Sequence, residues 1–88
     1  MAWLIHASGA TESVEIPDEE SLDFMQQAVS GYIEVIPCDV PTATHHYVYC
    51  IVNEEGILRD MDPNMVVSRM LDRPIVGSAL FLEADEMS

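Results

Sequence analysis

The sequence predicts one α+β domain over residues 1–88: a mainly antiparallel sheet of about five strands with two short helices, in the order ββαββαβ. Three observations lead there. Short alternating or β-branched runs recur between Pro and Gly residues, and two other stretches carry apolar residues at helical spacing behind acidic starts. A chain of 88 residues admits a single domain, and its 49% hydrophobic content is that of a folded chain rather than an acidic disordered tail.

Residues 2–6 and 12–16 read as a hairpin around Ser8-Gly9-Ala10, with Val14 and Ile16 alternating against Ser13 and Glu15 and Pro17 closing the run. Asp18-Glu19-Glu20-Ser21 supplies N-cap candidates and negative charge for a helix start. Leu22, Met25, Ala28 and Val29 then share a helix face, with Phe24 at its border and Gly31 expected as the left-handed residue after the last turn. Tyr32–Ile36 reads as a strand ended by Pro37, and 38–44 as a loop. His46–Val52 is the strongest strand, and Asn53-Glu54-Glu55-Gly56 a turn whose glycine accepts positive φ. Asp62-Pro63 reads as N-cap and first residue of a second helix, whose apolar face is Val66, Val67, Met70 and Leu71 and which Pro74 stops. Val76–Leu82 is the last strand, with a bulge or close approach at Gly77. Both helices are expected on one sheet face, and one core is expected from Val14, Ile16, Leu22, Met25, Val29, Ile33, Val35, Val48, Cys50, Val52, Val67, Met70, Leu71, Leu80 and Leu82.

Charge narrows the function. Sixteen Asp and Glu face three Arg (Arg59, Arg69, Arg73) and no Lys, for a net charge of -13. Direct nucleic-acid binding draws its affinity from cations that displace counterions, so it is excluded, and anionic membranes repel the chain for the same reason. No apolar run reaches the roughly 18 residues of a membrane span, and Met1–His6 lacks the basic start of a signal peptide. The expected location is the cytoplasm of the host cell. Partners should be basic protein surfaces, above all those of nucleic-acid-binding host proteins.

Chemistry-bearing patterns are weak. Cys38, His45, His46 and Cys50 lack the close cysteine pairs of zinc sites, and Cys50 alternates with Val48 and Val52 as a buried hydrophobe would. Neither a metal nor another cofactor is expected. Asp60-Met61-Asp62-Pro63-Asn64 starts like a calcium loop but continues with Met65 and Leu71 where Gly and Glu are required. No Ser, Thr or Cys has a recognisable base partner, and so small a chain has little volume for a cleft of roughly 300 Å³ or more, so no catalysis is expected. The acids expected to meet a partner are those on turns and helix starts: Asp18, Glu19, Glu20, Glu54, Glu55, Asp60 and Asp62. Trp3, Tyr47 and Tyr49 are the expected apolar anchors.

At Gly31-Tyr32-Ile33-Glu34-Val35, Asn53-Glu54-Glu55-Gly56 and Val76-Gly77-Ser78-Ala79, the sequence resembles a family of small domains of unknown function encoded mainly by phages, plasmids and other mobile elements. Pro63-Asn64 falls at the helix start of that pattern, and the Asn-Glu-Glu-Gly turn is its most specific part. The likeness covers roughly residues 20–83; the short Cys38–Thr44 segment and the absence of Lys depart from the pattern. The resemblance implies a mobile-element origin and no particular reaction. Together with the charge it gives the expected function: a small acidic phage-type protein that inhibits restriction or RNA-guided defence by presenting a nucleic-acid-like acidic face. Two alternatives stay open, an acidic housekeeping domain without mimicry and a module binding a small ligand or nucleotide. Solubility or a salt-adapted host would produce the same acidity.

Overall fold

A computed structural model describes residues 1–87. Strands β1 (Ala2–Ile5), β2 (Thr11–Val14), β3 (Ile33–Pro41), β4 (His46–Asn53) and β5 (Ala79–Leu82) form one antiparallel sheet in the order β2-β1-β5-β4-β3. Helices α1 (Ser21–Val29) and α2 (Met65–Leu71) connect the strands, and a 3-10 turn covers Ala84–Met87. The α+β class and the element order are as the sequence predicts. None of the helices is long and apolar enough to cross a membrane among the described residues.

The helices do not share a face. Met25 and Val29 of α1 pack on Ala2, Leu4, Ile51, Leu80 and Leu82, whereas Val67 of α2 packs with Ile5, Cys50, Val52, Ile75 and Phe81 on the opposite side. The reason is β5, whose four residues are all apolar and all fully buried, so each face of the sheet needs a cover. The core is therefore two layers separated by the sheet.

Several expected core positions lie elsewhere. Leu22 is 51% exposed, because it sits in the first turn of α1 and the buried stripe runs through Met25 and Val29 with Phe24 and Ala28 beside it. Val35 is exposed on the outer edge strand, while its neighbour Ile36 is buried. Tyr47 is buried where strict alternation would favour Val48, which is only half-buried. Opposite it β3 shifts register, with Pro37 and Val40 facing Tyr49 and Tyr47, so three steps on one strand meet two on the other. Tyr47 packs instead on Trp3 and Phe81, with ring centroids 5.7 and 6.2 Å away.

The boundaries also moved for identifiable reasons. β3 runs through Pro37 to Pro41, where the sequence predicts a loop, because an edge strand tolerates the missing N–H of proline. The second strand stops at Val14, and the last begins only at Ala79, after a single bridge between Pro63 and Val76. At the start of α1 Glu20 is left-handed and makes no side-chain cap. Its end is closed by Ser30, not Gly31, in the left-handed region (φ 65°): the N–H groups of Ser30 and Gly31 donate to Gln27 and Gln26.

The cap of α2 is Asn64, two residues beyond the expected Asp62. Its Oδ1 accepts from Val67 N–H at 3.1 Å, and its Nδ2 donates to the carbonyls of Ile5 (3.0 Å) and Gly77 (2.9 Å). Asn64 is completely buried, so the three partners have no water to turn to. Asn64→Ala is expected to lower stability by about 3 kcal/mol, roughly 1 for the cap and 1 for each orphaned carbonyl. Asp62→Ala should change it by less than about 0.5 kcal/mol. Urea unfolding of the two variants checks the contrast, and equal losses would show that Asn64 is not the cap that matters.

Candidate functional site

The seven acids singled out by the sequence are all exposed, but they form two groups. Asp18, Glu19 and Glu20 precede α1. There Asp18 joins Glu15, Asp85 and Glu86 around a hollow of about 300 Å³ whose lining includes Met1 and Ile16. Glu54 and Glu55 lie beyond β4, next to the other end of α1, and Asp60 and Asp62 follow along the same segment, where the Asp62 carbonyl accepts from Gly77 N–H. A helix of 9 residues separates the groups, which puts them about 14 Å apart at 1.5 Å per residue.

The second group stands on a fixed ridge. Asn53, 5% exposed, donates from Nδ2 to the Val29 carbonyl at the end of α1 (3.0 Å) and accepts from Glu55 N–H at Oδ1 (2.7 Å). Glu54 N–H donates to Tyr32 (2.8 Å), Arg59 N–H to Glu55 (2.8 Å) and Met61 N–H to Gly56 (3.1 Å). Gly56 is required for closeness, not for positive φ: a Cβ there would stand 2.8 Å from Val76 Cγ2. The left-handed residue of the ridge is Asp60, at φ 54°.

A hollow flanks the ridge on each side. One, about 490 Å³, lies against the end of α1 and is lined by Asp23, Gln26, Gln27, Tyr32, Glu55 and Arg59. It is larger than expected for so short a chain because it is open, formed between surface elements and not cut into the core. The Arg59 guanidinium donates to the Ser30 carbonyl at 2.8 Å, and Tyr32 is 68% exposed. The other hollow, about 110 Å³, has Ile36, Val52 and Ile75 in its lining and Ile57 and Leu58 at its side.

Among the described residues, no Arg pairs with a carboxylate; the ion pairs involve only the Met1 amine and the three His. The Met1 amine lies 3.1 Å from Glu83, and His45 Nδ1 lies 3.2 Å from the same carboxylate. Hydrogen bonding to the amine, then to His45, holds the Glu83 carboxyl below its ordinary range. None of the seven predicted acids is in an ion pair among the described residues.

The predicted apolar anchors are not free. Tyr47 is buried, and Trp3 and Tyr49 are half-buried against the core. Ile57 and Leu58 are instead the most exposed large hydrophobics among the described residues, at 75% and 86%. Their adjacency between Gly56 and Arg59, outside any periodic pattern, was the available signal.

One arrangement escaped the sequence altogether. Glu12 Oε2 lies 3.0 Å from His6 Nε2, and Ser78 Oγ lies 3.3 Å from His6 Nδ1. Acid, imidazole and hydroxyl thus meet from β2, the end of β1 and the approach to β5, positions too far apart in sequence for a motif. Glu12 also lines a hollow of about 270 Å³ with Leu4, Val14 and Phe24, but neither His6 nor Ser78 lines that hollow or any of the three above. The chain of contacts joins the β1–β2 hairpin to the start of β5.

A family match covers residues 1–88. The chain belongs to DUF3846, a domain of unknown function. The match extends beyond residues 20–83, where the resemblance was read, to include β1 and β2. No curated protein and no solved structure matches the chain. Membership assigns no reaction, and the residues that carried the resemblance take structural places in this fold. Asn53 and Gly56 fix the ridge, and Asn64 caps α2.

The Cys and His residues are separately engaged. His46 contacts Asp39, His45 contacts Glu83, and the Cys38 thiol lies 3.8 Å from the Tyr47 carbonyl. Burial pushes the Cys50 thiol up to about 12, against 9.0 ordinarily, and also raises Cys38. A raised acid titration stabilises the fold fully below the unfolded value and loses that contribution as pH rises to the folded one. Wild type should therefore lose stability relative to Cys50→Ala between pH 9 and about 12, by at most about 1.4 kcal/mol per pH unit. At pH 7 the Cys38→Ser, Cys50→Ala double variant should fold with a loss of about 1 kcal/mol from packing. Denaturant titrations at several pH values test both statements, and a pH-independent difference would contradict the burial of Cys50.

Proposed function

We propose that this domain acts by binding, presenting an acidic surface to a basic protein surface that nucleic acid also occupies. The observation that supports this best is the condition of its acids. All seven of the predicted contact residues are exposed and unpaired among the described residues, on a chain of net charge -13. Unneutralised acids steer a basic partner and repel nucleic acid and anionic membrane. In the finer form of the proposal, the domain is encoded by a phage, plasmid or other mobile element. It acts in the host cytoplasm and blocks a restriction or RNA-guided nuclease by imitating its nucleic-acid ligand.

A second reading is favoured by the hollow of about 490 Å³ beside Tyr32 and Arg59, whose volume suits a small ligand. Asp23 and Glu55 in its lining oppose an anionic ligand such as a nucleotide, so a neutral or cationic molecule fits better. Amide shifts at Tyr32 and Arg59 on titration with metabolites would favour it over protein binding.

The main proposal is tested on purified restriction and RNA-guided nucleases, with and without their nucleic acid. The domain should inhibit cleavage, and nucleic acid should compete with it. A single acid substitution should slow association less than about threefold, whereas Glu54→Lys/Glu55→Lys together should slow it about tenfold or more. Association should also slow as salt is raised. Binding that is unchanged at about 1 M salt and after neutralising each group would reduce the acidic surface to a solubility device.

A further inference from the structure

We infer that Ile57 and Leu58 are the apolar anchor of the ridge, and that the partner carries an apolar stripe flanked by Lys or Arg, as a basic amphipathic helix does. The inference rests on the basic-partner reading above and specifies where and how contact is made. A lone exposed Leu on a protein surface needs no explanation. Here two adjacent apolar side chains, 75% and 86% exposed, are held up by a turn that the Asn53 side chain, backbone hydrogen bonds and the Gly56–Val76 contact fix in place. A pre-set turn loses little conformational freedom on binding, which favours an anchor.

The surroundings specify the occupant. Ile57 and Leu58 wall the hollow of about 110 Å³, whose lining also includes the buried Ile36, Val52 and Ile75. An aliphatic side chain entering it would touch apolar groups on several sides. Around this spot stand Glu34 and Glu54 in the same lining, with Glu55 and Asp60 next along the turn; Arg73 is the cation of the lining. A second copy of the chain would bring acid against acid, and nucleic acid or an anionic membrane would do the same. An apolar stripe with cationic flanks satisfies both features at once.

The test uses the full chain and two short leucine–lysine peptides of identical composition. In one the leucines form a single helical stripe; in the other they are scattered. At about 0.15 M salt the striped peptide should bind on the order of thirtyfold more tightly, the effect of a hot-spot contact. It should shift the Ile57 and Leu58 amides. Ile57→Ser/Leu58→Ser, at exposed sites where the fold is not at stake, should abolish that advantage and leave the salt dependence intact. Equal binding of both peptides, with salt dependence retained, would overturn the anchor and leave the acidic-surface reading standing. An undiminished advantage in the double variant would overturn the anchor too. Peptide binding that ignores both salt and the Glu54→Gln/Glu55→Gln/Asp60→Asn variant would instead overturn the acidic-surface reading beneath it.

Discussion

The placement of β5 between β1 and β4 is the interaction on which the rest of the molecule depends. The β1–β2 and β3–β4 hairpins are each local pairings, and they join into one sheet only because the late strand Ala79–Leu82 hydrogen-bonds to both. Burying Leu80, Phe81 and Leu82 contributes about 2 kcal/mol each. That sum is comparable to the whole net stability of a small domain, about 5 kcal/mol at the low end. Because Leu80 and Leu82 face one side and Phe81 the other, α1 and α2 must lie on opposite faces. That disposition brings the end of α1 beside the end of β4 and leaves the 53–61 turn standing as a ridge.

The fold class and the order of elements were legible in the sequence because they rest on local periodicity and on Pro and Gly. What was misread depended on neighbours in space. The uninterrupted apolar run Ala79-Leu80-Phe81-Leu82 did carry the signal for two-sided burial, yet alternation elsewhere in the sheet suggested a one-sided cover. Pro37 ends a central strand but not an edge strand, and edge position is a property of topology. Asn64 and Asp62 are equally good caps by residue type, and only the carbonyls of Ile5 and Gly77, brought from distant segments, distinguish them. At the site the acids were readable as exposed residues, but their division between the two ends of α1 was not, and neither was the ridge that lifts Ile57 and Leu58.

That division has an electrostatic consequence. The two acid groups lie about 14 Å apart, beyond the screening length of about 8 Å at physiological salt. In the proposed contact each would therefore act on a basic partner largely by itself, and changes to the two groups should add. Leaving the acids unpaired forgoes little, since an exposed ion pair contributes about 0–1 kcal/mol. The lack of Arg–carboxylate pairs among the described residues is thus a weak loss to stability and a large gain in uncompensated field. Where the field meets an apolar ridge, the proposed encounter and anchoring would coincide; at the Asp18–Glu20 group the neighbouring hollow is rimmed by more carboxylates.

The interior follows the complementary rule. A buried carboxylate must be paired or neutralised at considerable cost, whereas an amide needs only hydrogen bonds. In a chain with 16 acids, the two buried polar residues among those described are both Asn. Asn64 joins β1, α2 and the approach to β5, and Asn53 joins the end of α1 to the ridge. Each spends its amide on backbone groups, all buried for Asn64 and partly so for Asn53. Neutral amides inside thus set the positions from which carboxylates and two aliphatic side chains project outside. The rigidity of the proposed contact surface and the stability of the fold then have the same source.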